Sequence, residues 1–115
     1  MKVNEFVNNS DNSKLIEVFT KLNKELFYET AHITDIDEIK ISNSYKEILS
    51  YGIDILPIVM NEIINNNGSY TLCFIIFDIV GRRSINIPES DRGYVNKIKG
   101  HIKNWWLENK HNYGE

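Results

Sequence analysis

The chain is short of the residues that would define several protein classes. Of its 115 residues one is cysteine, two are proline and six are glycine. A lone Cys73 cannot form an internal disulfide, which excludes a disulfide-stapled scaffold and suits a reducing compartment. So little proline and glycine excludes collagen-like and low-complexity chains. Long apolar runs are missing too. The longest, Tyr70-Thr71-Leu72-Cys73-Phe74-Ile75-Ile76-Phe77, stops at Asp78 and is too short to span a bilayer. The opening Met1-Lys2-Val3-Asn4-Glu5 has no apolar h-region, so no secretory signal is expected and the cytoplasm is the expected location.

What is present is one ordinary domain's worth of apolar residues. They make up 42% of the chain, charged residues 25% and aromatics 11%, a balance that supports one core and leaves too little chain for two. The formal net charge is −3, which argues against a general nucleic-acid coat. That charge is uneven. Through Gly81 there are 6 Lys/Arg against 12 Asp/Glu, and from Arg82 onward 7 against 4. A solvated surface explains such asymmetry; so does a basic face that meets an anionic partner.

Hydrophobic spacing predicts an all-α fold. A polar segment over 1–12 offers caps and turns, and a single helical domain is expected over 13–110, followed by a tail over 111–115. In the first helix, roughly Lys14 to Glu29, Leu15, Val18, Phe19, Leu22, Leu26 and Phe27 recur at three- and four-residue steps. Residues 31–42 fit neither helix nor strand period and read as an irregular crossover. A helical turn around Asp35 to Ile39 is expected there, with a short strand as the alternative.

Ser44-Tyr45-Lys46-Glu47 has the form of a capping box, opening a short helix that ends near Tyr51, with Gly52 at its C′ position. Asp54 is then placed to cap a third helix that carries Pro57 in its first turn and closes at Asn65-Asn66-Asn67-Gly68. Tyr70 to Val80 is apolar nearly all round. Its β-branched and aromatic content suits a strand, while its length between Ser69 and Gly81 favours a buried helix. A long helix from Ser90 to Asn109 completes the chain, with Tyr94, Val95, Ile98, Ile102, Trp105 and Trp106 on one face. The expected architecture is a compact bundle of about five helices in stacked hairpins around the segment 70–80.

Several of these segments fall in a distinctive order. Leu26-Phe27-Tyr28-Glu29-Thr30-Ala31-His32-Ile33 comes first, then Ser44-Tyr45, then Gly52-Ile53-Asp54-Ile55-Leu56-Pro57-Ile58-Val59. Ser69-Tyr70-Thr71-Leu72-Cys73, Ile79-Val80-Gly81 and Pro88-Glu89-Ser90-Asp91-Arg92-Gly93 follow, before a Trp-rich helix. The order resembles a family of small uncharacterised bacterial proteins with E-T-A-H-L-S, Y-x-x-I-I-G-M-G, L-P-L-I-L-x-E-L, H-W-x-W-A-L-x-x-I-T-G, P-x-x-x-R-G and A-W-x-x-W-G. Ser69-Tyr70 replaces its H-W, Cys73 stands near its Ala, Val80 replaces its Thr, and Ser84 stands where Pro is common. The resemblance implies a compact helical fold and a bacterial or phage-borne cytoplasmic protein; it names no reaction.

Chemistry-bearing residues are sparse. Glu29 and His32 form the weak acid/base candidate, against which stands a structural histidine at a helix C-terminus. His101 and His111 are ten apart, and no H-x-x-x-H, C-x-x-C or carboxylate–histidine cluster appears, so neither metal nor cofactor is expected. Cys73 lies among apolar neighbours, the opposite of what a nucleophile needs.

Arg82, Arg83 and Arg92 surround one loop and together could grip phosphate or carboxylate, unless Glu89 and Asp91 neutralise them. Lys97 and Lys103 extend the basic character. Trp105 and Trp106, adjacent on a helix, point about 100° apart, so one can be core while the other anchors an interface. The expected function is a non-catalytic module, antitoxin-, immunity- or regulator-like, that binds one specific protein partner through Arg82, Arg83, Arg92, Lys103, Trp105 and Trp106. Nucleic-acid or phosphate-ligand binding through the basic C-terminal region is the alternative.

Overall fold

A computed structural model describes residues 2–115, with side chains from Ser13 onward. The fold is all-α. Six α-helices are present among the described residues, with no strand and no helix long and apolar enough to cross a membrane. The chain divides into two compact units, Met1–Ile48 and Leu49–Glu115.

The first unit opens with α1, Lys2–Glu29. Its start corrects the sequence expectation, which began the helix near Lys14 and made the polar stretch a set of turns. Asn and Ser favour caps but do not break a helix, and neither glycine nor proline precedes Gly52. Phe19, Leu22 and Leu26 are buried, whereas Phe27, counted on the same face, is 68% exposed.

Thr30 closes the helix by donating its hydroxyl and its amide to the Leu26 carbonyl at 2.6 and 3.0 Å. The crossover contains the expected helical turn. It is α2, Ile36–Lys40, and the Asp35 carboxylate caps it by accepting from the Asp37 amide at 3.0 Å.

Helix α3, Asn43–Ser50, begins slightly before the anticipated cap. The Ser42 carbonyl already accepts from the Lys46 amide, so Ser44 lies inside the first turn. Its hydroxyl and amide both donate to the Glu29 carboxylate, the amide at 3.4 Å. In the expected capping box Glu47 would take that amide; Glu29, from the end of α1, takes it instead. A carboxylate at this position also meets the positive end of the α3 dipole.

The second unit holds a short 3₁₀ turn, Gly52–Asp54, then α4, Leu56–Asn65, α5, Tyr70–Val80, and α6, Val95–Asn109. Gly52 takes a positive φ of 58°, as its place after α3 anticipates. Asp54 does not cap α4: it belongs to the 3₁₀ turn, and Ile55 occupies the cap position. Pro57 sits in the first turn as expected. At the far end Asn67 adopts a left-handed φ of 54°, and the amides of Asn66 and Gly68 both donate to the Glu62 carbonyl at 3.1 and 2.9 Å.

The Tyr70–Val80 segment is a helix, which settles the strand alternative, and it packs against both α4 and α6. Leu72, Cys73, Ile75 and Ile76 are fully buried. Leu56, Val59, Met60 and Ile63 come from α4, and Ile98, Ile102 and Trp106 from α6.

Helix α6 starts at Val95 instead of near Ser90, because Glu89–Asp91 forms a separate 3₁₀ turn. Tyr94 and Val95, expected on its buried face, are exposed. Lys99 reaches the turn between α4 and α5 and donates to Asn67 Oδ1 at 3.0 Å. The last residues fold back as a 3₁₀ turn, Lys110–Tyr113, which sets the Tyr113 ring 5.8 and 6.1 Å from those of Trp105 and Trp106.

Candidate functional site

Tyr70, Phe74 and Phe77 are spaced four and three residues apart on α5, so they share one helical face. That face is the less buried one: Tyr70 is 40% exposed and the two phenylalanines are half-buried. Phe74 meets Tyr70 and Phe77 edge-on, with ring centroids 4.8 and 6.4 Å apart.

Gly81 ends the helix with φ 92°, its amide still bonded to the Phe77 carbonyl at 2.8 Å. That conformation turns the chain directly into the 3₁₀ turn Arg82–Ser84. The Ser84 hydroxyl fixes the turn by donating to the Val80 carbonyl at 2.6 Å, and the buried Ile85 pins the strand of chain that follows. Arg92 returns to the same place, its Nε donating to the Ile87 carbonyl at 3.3 Å.

The result is an open cleft of about 630 Å³. Tyr70, Phe74 and Phe77 line it, and Ile85, Ile87 and Ile98 add aliphatic surface. Arg82, Arg83 and Arg92 all line it, together with Asn86. None of the three guanidinium groups has a carboxylate partner among the described residues. Neutralisation by Asp91, the ordinary explanation for such a loop, does not occur. The Asp91 carboxylate instead accepts from His101 Nε2 at 2.8 Å and pairs with Lys97 at 3.6 Å.

The hydrogen bond from His101, with the Lys97 charge adding to it, holds the Asp91 carboxyl below the usual carboxylate range. A depressed folded-state value means that the pair stabilises the fold above the ordinary carboxylate value and loses that contribution as pH falls through the folded value. Asp91→Asn should therefore lower the urea midpoint near neutral pH, and the gap to the wild type should close in acid below about pH 4. A gap that stays constant into strong acid would contradict this assignment.

The other sequence candidates lie elsewhere. Lys97 is engaged with Asp91 and sits over the Tyr94 ring, 4.8 Å from its centroid. Lys103 is exposed and does not line the cleft, nor do Trp105 and Trp106. Trp106 is core at 7% exposure, with Trp105 half-buried beside it. The Glu29 carboxylate is occupied by Ser44 and His32 is exposed. Burial pushes the Cys73 thiol up to about 11, so it stays protonated at neutral pH. No metal-binding group of three His, Cys, Asp or Glu occurs among the described residues.

Two parts of the site escape the sequence reading. The aromatic lining of the cleft comes from a segment that reads as apolar nearly all round, although the 70/74/77 spacing is there in the sequence. The Asp91–His101 bond joins residues ten apart across a loop and a helix turn, for which no local pattern exists.

Comparison with protein-family models, with curated proteins and with solved structures finds no match.

Proposed function

We propose that this is a non-catalytic binding protein whose working surface is the arginine cleft of the second unit, and that the ligand is an anion with an apolar or planar part. The observation that carries this reading is the convergence of Arg82, Arg83 and Arg92, without carboxylate partners, on a cleft lined by three aromatic rings. An anion entering the cleft can accept charge-assisted hydrogen bonds from these exposed guanidinium groups, whose planar forks suit paired oxygens. The cleft lies within the size range of small-ligand sites. Its lining side chains supply donors and ring faces; carboxylate, imidazole and thiol are not among them, which supports binding over catalysis.

Inorganic pyrophosphate, tripolyphosphate and a short poly-aspartate peptide, each tested by thermal shift at low and moderate salt, examine the reading. At least one should stabilise the protein saturably, less so as salt rises, and the Arg82→Gln/Arg83→Gln variant should lose the effect. Absence of any shift, or an undiminished shift in the variant, would sink it.

A second reading keeps the specific protein partner, antitoxin-, immunity- or regulator-like. It is favoured by two apolar side chains of α6 left partly to solvent, Leu107 at 54% exposure and the half-buried Trp105, since tryptophan anchors interfaces. In that case Trp105→Ala abolishes recovery of a stoichiometric protein from native cells, and Arg82→Gln/Arg83→Gln does not.

A further inference from the structure

We infer that the ligand of the arginine cleft is a nucleoside polyphosphate, an inference that rests on the anion-binding reading above and narrows it. Charge is the first argument. One carboxylate offers a single negative charge to three guanidinium groups, whereas a phosphomonoester carries about −1.5 to −2 and a polyphosphate more. Arginine's planar fork also matches phosphate oxygens two at a time.

The aromatic side is the second argument. Inorganic polyphosphate would engage the arginines alone and make no use of the solvent-facing surface of Tyr70, Phe74 and Phe77, which line the same cleft. A nucleobase is a planar group that stacks on such rings whatever its identity. Asn86, at the same cleft, carries both a donor and an acceptor for a base edge.

Extent is the third. A nucleic-acid strand needs a basic track that continues beyond one pocket. Here Lys97 is paired with Asp91, Lys103 does not line the cleft, and the whole chain is negative at −3. A bounded ligand fits; a polymer does not.

Isothermal titration of the full chain with ATP, GTP, CTP, UTP, tripolyphosphate and adenosine tests this. At least one nucleotide should bind tenfold or more tighter than tripolyphosphate, and adenosine alone should not bind measurably. Phe74→Ala should reduce the nucleotide's affinity about 10- to 100-fold and leave that of tripolyphosphate unchanged. Because Phe74 is half-buried, Tyr70→Ala, at a more exposed ring, repeats the test with less risk to folding, and thermal melts confirm that each variant folds.

Arg82→Gln/Arg83→Gln should weaken nucleotide and tripolyphosphate together. Equal binding of nucleotide and tripolyphosphate overturns the nucleotide inference and leaves the anion cleft standing. Stabilisation by the poly-aspartate peptide of the thermal-shift test, with neither nucleotide nor tripolyphosphate binding, has the same meaning. Failure of every anion to bind folded protein removes the inference and the anion cleft together.

Discussion

Leu72→Ala should cost the second unit about 2–5 kcal/mol, the range for truncating a buried leucine, out of a total that for ordinary domains is about 5–15 kcal/mol. Leu72 is fully buried on α5, a helix in contact with both its neighbours, so the vacated volume cannot collapse by moving one wall alone. Urea unfolding followed by tryptophan fluorescence reads the loss as a lower midpoint at unchanged slope.

The adjoining turn sharpens the test. A Cβ added at Gly68 would meet Leu72 Cδ1 at 3.0 Å, the Ile63 nitrogen at 3.1 Å and the Glu62 carbonyl carbon at 3.2 Å. The first contact is with the end of a flexible side chain, but the other two are with backbone that cannot yield cheaply. Gly68→Ala should consequently destabilise in the wild type and still do so in the Leu72→Ala background. Full rescue in the double variant would mean that the side-chain contact alone matters and would refute the backbone account.

Gly81→Ala should be nearly as damaging for a different reason. Its surroundings are open, the nearest atom to an added Cβ being Ser84 Oγ at 3.7 Å, but its φ of 92° is one that residues with a side chain rarely adopt. Such backbone strain costs about 1–3 kcal/mol. The same residue joins the aromatic face of α5 to Arg82 and Arg83, so relaxing the strain moves the guanidinium groups away from the rings. Both melting temperature and anion affinity should fall. Gly93→Ala is the control: it has open space and no positive φ, so stability should hold or rise by up to about 1 kcal/mol through the unfolded chain. Equal losses at the two glycines would show that the strain at Gly81 is not the cause.

Much of the fold could be read from local signals. Tyr70 to Val80 was recognisable as a helix because eleven residues between Ser69 and Gly81 suit a buried helix better than a strand. Gly52 and Pro57 announce their positions because each supplies one local need: a positive φ, or a missing amide where none is required.

The misreadings share a cause as well. At Ser44 the local capping-box pattern is real, but Glu29, fifteen positions earlier, offers a charged acceptor that the spacing of four residues cannot reveal. At Ser90 the helical period runs on, while the pairing of Asp91 with His101 holds the preceding segment in a tighter turn. The site follows the same rule. Arg82 and Arg83 are adjacent in sequence, whereas the return of Arg92 and the half-open aromatic face depend on contacts made only in the folded chain.

The turn at Asn67-Gly68 bears on how long the protein lasts. In an unstructured chain this dipeptide is prone to cyclise, the glycine nitrogen attacking the asparagine side-chain carbonyl to give a succinimide and then isoaspartate. In the fold that nitrogen donates to the Glu62 carbonyl at 2.9 Å, and the asparagine oxygen accepts from Lys99 at 3.0 Å. Glycine is demanded here by close packing, so the labile pair cannot simply be exchanged for a sturdier one. Chemical ageing at this bond is thereby tied to opening of the helical core, and the lifetime of the molecule in storage will follow its folding equilibrium.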